Sequence, residues 1–288
     1  MAVDSRLLRL AAPVLLVLVA LGQSALAQNA AWSIWVMKVD GSQARFVTQV
    51  ENCTTHLCPR WSHDGKRIVF ETHGNTAEAK GAYVVNADGT ELRRLGNYVR
   101  PVWSPDDKQI AAEAFANGRR EAYVMNVDGT GLTPIAAGRY PCWSPDGTLL
   151  ATTINNDIQV TDLLTGEVRG LLKQPAYQIY GMWWFADSKR LAVVLRPEER
   201  KHRYLMYISA EGEEHGTHKR LENEMGGLLS FSPDGKRMAI ANHYMIFIAD
   251  VDGKSEPQKV PGQKGGSIDP DWSPDGEWIV FGSSRDVP

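Results

Sequence analysis

Cysteine is scarce, with three residues in 288. That is too few for a disulfide-framed scaffold, and no second pair accompanies Cys53 and Cys58 as a structural zinc site needs. A strong excess of one charge is also missing. With 31 basic and 34 acidic residues the net charge is −3, which leaves no electrostatic footprint for nucleic acid. No Gly-x-Ser-x-Gly nucleophile turn occurs, and the seven histidines, His56, His63, His73, His202, His215, His218 and His243, are scattered. The expectation is a protein without metal, cofactor or catalytic constellation.

Apolar runs long enough to cross a membrane are absent as well. The longest, residues 10–22, follows Arg6 and Arg9 and precedes the small-residue site Ala25-Leu26-Ala27. It reads as a secretory signal peptide over residues 1–27, cleaved from the mature chain. Gln28, Asn29, Ala30 and Ala31 come next, so no cysteine is placed for a lipid anchor. These features predict a periplasmic or extracellular protein with no membrane insertion. Its net charge becomes −4 once Asp4, Arg6 and Arg9 are removed.

What is abundant is a repeat. Trp61-Ser62-His63-Asp64-Gly65, Trp103-Ser104-Pro105-Asp106-Asp107, Trp143-Ser144-Pro145-Asp146-Gly147, Trp184-Phe185-Ala186-Asp187-Ser188, Phe231-Ser232-Pro233-Asp234-Gly235 and Trp272-Ser273-Pro274-Asp275-Gly276 recur at intervals of about 40 to 47 residues, the length of a propeller blade. Pro presets φ in these turns, Asp bonds locally to backbone, and Gly accepts the left-handed conformation. A second turn series is counted independently: Asp40-Gly41, Asp88-Gly89, Asp128-Gly129, Thr165-Gly166, Glu211-Gly212 and Asp252-Gly253. Between turns lie β-branched and aromatic runs such as Arg67-Ile68-Val69-Phe70.

The expected fold is all-β, a single six-bladed β-propeller over residues 28–288 with four antiparallel strands per blade. The chain begins with a third and a fourth strand, around Ile34 and Phe46, and ends on a second, around Ile279. One blade is therefore shared between the N- and C-terminal strands.

Residues 101–108 followed by Tyr123-Val124-Met125-Asn126-Val127-Asp128-Gly129-Thr130, and residues 141–147, resemble the repeat of the TolB-type, WD-repeat-like β-propeller family. The resemblance covers essentially the whole mature chain. In that family the propeller engages an outer-membrane lipoprotein, while a preceding α/β domain engages inner-membrane partners. Here about four residues separate the expected cleavage site from the first strand, so the resemblance extends to the propeller part only. It implies a stand-alone envelope or secreted propeller. Similar repeats also occur in propellers of prolyl-oligopeptidase-type enzymes and polysaccharide lyases.

Registering the repeats on Trp singles out inner-strand positions. One residue before it stand Arg60, Val102, Cys142, Trp183, Ser230 and Asp271; three before it stand Cys58, Arg100, Tyr140, Gly181, Leu228 and Asp269. A period of two puts both sets on one side of each strand. Charges in the packed body would be costly, so Arg60, Arg100, Tyr140, Asp269 and Asp271 are the candidate binding residues at the channel mouth. Arg60 and Asp271 can also be read as an ion pair across the closure seam.

Cys53 and Cys58 read as a disulfide closing a short loop, as free thiols or as part of a metal site; Cys142 reads as a packed thiol. Asp250-Val251-Asp252-Gly253 resembles a calcium loop but has Pro261 at its twelfth position, so it reads as a hairpin turn. The mixed-charge run at residues 196–203 reads as a solvated hairpin tip. The functional expectation is a monomeric, non-catalytic propeller that binds a protein or peptide. The alternative is a carbohydrate-active enzyme or carbohydrate-binding protein with its site in the channel.

Overall fold

The turn chemistry is realised strand by strand. A computed structural model describes residues 32–77, 79–173, 177–185, 187–198, 203–212, 219–220, 229–252 and 254–288. The segment read as a signal peptide lies outside the described residues, as do His202, His215, His218, Ala186, Leu228 and Gly253. Residues β1 (Ser33–Lys38) and β2 (Arg45–Thr48) open the chain. The first blade is β3 (Cys53–Trp61), β4 (Arg67–Gly74), β5 (Gly81–Asn86) and β6 (Arg93–Gly96). The second is β7 (Val99–Trp103), β8 (Gln109–Ala116), β9 (Arg119–Asn126) and β10 (Thr133–Ala137). The third is β11 (Arg139–Trp143), β12 (Leu149–Ile154), β13 (Asp157–Asp162) and β14 (Val168–Leu172). The fourth is β15 (Tyr177–Trp184), β16 (Arg190–Pro197), β17 (Tyr204–Ser209) and β18 (Lys219–Arg220). The fifth is β19 (Leu229–Phe231), β20 (Arg237–Asn242), β21 (Met245–Asp250) and β22 (Gln258–Lys259). Last come β23 (Ser267–Trp272) and β24 (Trp278–Ser283), which form the sixth blade in the order β2-β1-β24-β23. The ring is thus a six-bladed all-β propeller closed by pairing of the first and last described strands, as the repeat predicts.

Each Trp-Ser-x-Asp turn is held by the same bonds. The serine hydroxyl donates to the Asp carboxylate two residues on, at 2.5 to 2.7 Å in the five turns that have the serine. The same hydroxyl accepts the amide that starts the second strand, at 2.9 Å for Arg67, Gln109, Leu149, Arg237 and Trp278. The fourth turn lacks the serine, and there Asp187 binds Arg190 Nε at 2.9 Å. The left-handed turn position is Gly in four blades; Asp107 and Ser188, which replace it, keep φ of +58° and +55°.

The core lies between blades. Ile34, Val36 and Val280 of the sixth blade pack with Ile68, Phe70 and Tyr83 of the first. Val69, Ala82 and Val84 of the first pack with Trp103, Ile110 and Met125 of the second. Sheets buried on both faces need near-continuous apolar strands, which is why the runs after each turn do not alternate.

Candidate binding channel

The first strands of successive blades pack around the axis and enclose a cavity of about 870 Å³ that opens among the Trp-Ser-x-Asp turns. Of the five candidate binding residues, Arg60, Arg100, Tyr140 and Asp271 line it; Asp269 lies beside it, with its carboxylate on the Cys58 amide at 3.2 Å.

A β-bulge interrupts the inner strands three or four positions before Trp, as the register shifts between Leu57 and Arg60, Val99 and Val102, Arg139 and Cys142, Ile179 and Gly181, and Ile268 and Asp271 show. Cys58, Arg100, Tyr140 and Asp269 stand there with φ of +51°, +51°, +55° and +50°. Each of the first three turns its amide toward a carboxylate of the preceding blade. Asp269 accepts from Cys58, Glu71 from Arg100, and Glu113 from Tyr140 at 2.6 Å.

Glu71 and Glu113 were not among the sequence candidates. Both are buried, Glu113 completely, and both stand ten residues after a repeat Trp, directly after the apolar runs Ile68-Val69-Phe70 and Ile110-Ala111-Ala112 of their second strands. Registering the second strands as well as the first is the signal that finds them. Burial works to raise the Glu71 pKa, but hydrogen bonds from His73 (3.2 Å) and the Arg100 amide, with the Arg100 charge, hold it below the usual value. Glu113 pairs with Arg100 Nη1 at 3.1 Å and faces Arg139 Nε at 3.9 Å.

The expected Arg60–Asp271 ion pair does not form. Asp271 Oδ2 accepts the Trp61 amide at 2.9 Å and Oδ1 the Ser230 hydroxyl at 2.8 Å, so the seam is held by carboxylate-to-backbone bonding instead. Burial pushes the Asp271 pKa up, opposed by the nearby Arg60 charge and these hydrogen bonds. Arg60 Nη1 donates to the Pro59 carbonyl at 2.9 Å, and among the described residues its guanidinium makes no salt bridge.

The structure does not bring Cys53 and Cys58 together. Both thiols are free and both lie on β3, where five residues of extended chain span roughly 16 Å; a disulfide needs Cα atoms within about 7 Å. The short spacing suggested a loop, and the segment is a strand. Burial raises the Cys58 pKa well above the thiol value and that of Cys142 to about 12. Neither thiol has the lowered pKa of a nucleophile.

Nor do the described histidines converge on one site. His56 is buried against Phe70, His73 meets Glu71, and His243 is exposed in the turn between β20 and β21. Among the described residues no group of three or more His, Cys, Asp or Glu side chains could hold a metal ion. Among the described residues no helix is long and apolar enough to cross a membrane.

No family model matches the chain, and no curated protein matches it. Its fold does match solved structures. A protein described as TolB from Agrobacterium tumefaciens is 18% identical with a TM-score of 0.67, over 89% of this chain and 99% of that one. TolB from Acinetobacter baumannii is also 18% identical, with a TM-score of 0.60, over 94% of this chain and 69% of that one. An oligogalacturonate lyase from Vibrio parahaemolyticus is 12% identical, with a TM-score of 0.53, over 89% of this chain and 98% of that one. These likenesses establish a TolB-like propeller fold, on which sites of different chemistry are carried.

Proposed function

We propose that this chain is an exported, non-catalytic scaffold that binds a protein or peptide partner through its central channel. The observation that carries the reading is the channel's lining: aromatic inner-strand side chains around Arg60, a cation without a salt bridge among the described residues. Asp271, an acid on the same lining, is committed to the Trp61 amide and Ser230. Ring faces and a guanidinium suit a chain segment that offers carbonyl or carboxylate oxygens, while the protonated thiols supply no nucleophile. The repeat resemblance and the fold likeness to TolB propellers support a binding role, and the resemblance supports location in the envelope.

A photo-crosslinking amino acid at Val102, which lines the cavity, tests the proposal in envelope extracts. The expected outcome is a defined set of partner peptides joined to the channel, and their loss when Arg60→Ala is added. The same peptides recovered in the same yield from Arg60→Ala would argue against the channel as the site.

A further inference from the structure

Four arginines gather on the side of the ring opposite the Trp-Ser-x-Asp turns. Arg100 and Arg139 lie over the Tyr140 ring, 4.5 and 5.2 Å from its centroid, and Arg203 and Arg196 lie over Tyr180, at 3.8 and 5.7 Å. The two groups are near neighbours, since Arg139 and Tyr140 begin β11, Tyr180 lies early in β15, and these strands pack together. Burial lowers the Arg203 pKa, opposed by Tyr180; the neighbouring Arg196 charge lowers it further and Tyr140 raises it. The run at residues 196–203 is therefore more than a solvated tip: its two described arginines are folded back onto a ring.

Among the described residues opposite charge is sparse at this place. Glu113 is fully buried and holds Arg100 and Arg139 from below, Glu71 is bonded to His73 and the Arg100 amide, and Glu198 is exposed on the following loop. Arg196 Nη2 donates to Gln178 Oε1 at 2.7 Å, a neutral acceptor that Tyr180 also uses at 2.8 Å. Gathering like charges is unfavourable, and stacking on tyrosine faces offsets only part of it. What the stacking achieves is orientation. A guanidinium whose plane is fixed against a ring presents its N–H edge for bidentate bonds to carboxylates. The Arg139 and Arg100 side chains remain 48% and 28% exposed.

We propose that this arginine–tyrosine cluster docks an acidic peptide segment, with two or more carboxylates along an extended chain. The inference rests on the peptide-binding reading above and names the chemistry of the segment. Arg100 and Tyr140 also line the channel, so a segment held there continues into the cavity.

The test is fluorescence anisotropy with the purified protein and a labelled Glu–Ser alternating peptide, beside its Gln–Ser counterpart and an unlabelled oligogalacturonate competitor. The Glu–Ser peptide should bind and weaken with added salt, and the Gln–Ser peptide should not bind. Affinity should fall about tenfold or more in Arg139→Gln/Arg196→Gln. Both residues are partly or fully exposed, so the fold should survive, as an unchanged melting transition will show. Lys236→Gln/Lys259→Gln removes the same charge from the fifth blade and should leave binding unchanged. Equal Glu–Ser binding by wild type and the arginine variant overturns the cluster and leaves the channel reading standing. Binding of the oligogalacturonate alone overturns both.

Discussion

His56 is wholly buried on β3, where its Nε2 accepts the Val50 amide at 2.8 Å and its ring stacks on Phe70. An imidazole accepting through Nε2 is neutral, with its proton on Nδ1, and burial lowers its pKa from 6.5 to about 4 against a smaller opposing effect from the Trp32 backbone. Between those values the unfolded chain takes up a proton that the folded chain refuses, so stability rises with pH across this window. The contribution is complete above about pH 6.5 and is lost as pH falls toward 4, a loss of roughly 2–3 kcal/mol at pH 4.5. His73 acts with the opposite sign: its hydrogen bond to Glu71 raises its pKa, so its contribution is present below 6.5 and fades as pH rises through the folded value. Half-exposed, it is screened and smaller. Urea denaturation at pH 7 and 4.5 should therefore show marked acid destabilisation, reduced in His56→Gln, whose amide oxygen can still accept from Val50. A wild-type protein equally stable at both values would contradict the buried neutral imidazole.

At the scale of the strand, the inner-strand bulge is the element that builds the site. The Trp register singles out Arg60, Arg100, Tyr140 and Asp271, and all four line the cavity, because one inner strand per repeat leaves little freedom. The bulge itself was not legible. Its left-handed positions are held by Cys58, Arg100, Tyr140 and Asp269 rather than glycine, so composition carries no mark of it. The partner acids of the Arg100 and Tyr140 amides, Glu71 and Glu113, lie on second strands, outside a register taken on first strands alone. These acids and the turn serines should differ in weight. Glu113→Ala removes the acceptor of the Tyr140 amide and strands Arg100, at a cost of about 3–5 kcal/mol. Ser104→Ala removes one hydroxyl from one turn and costs about 1 kcal/mol. Chemical denaturation of the two variants orders them, and similar losses would mean that the carboxylate does not stitch the blades.

For the molecule as a whole, everything depends on the seam. In β1, residues from Ser33 to Lys38 pair in unbroken register with β24, from Ser283 to Trp278, so the first described strand and the last are neighbours. Arg285 reinforces the closure by stacking over both Trp35 and Phe281, at 4.7 and 5.1 Å, and Asp271 reaches into the first blade at the Trp61 amide. This much followed from counting two turn series and noting which strands stand at the chain ends; the stacking of Arg285 did not, since nothing in its spacing distinguishes it from a surface arginine. Deleting residues 270–288 would remove β24 and half of β23 together. It would leave β1 with β2 alone and expose Ile34, Trp35, Val36 and Met37, all buried in the closed ring. An isolated two-stranded ribbon is at best marginally stable, and an open ring presents apolar strand edges for self-association. The truncated chain should therefore lose the single cooperative melting transition of the full protein and run as aggregates on size exclusion. A truncated chain that melts cooperatively at the full-length temperature would mean that the ring does not need its shared blade.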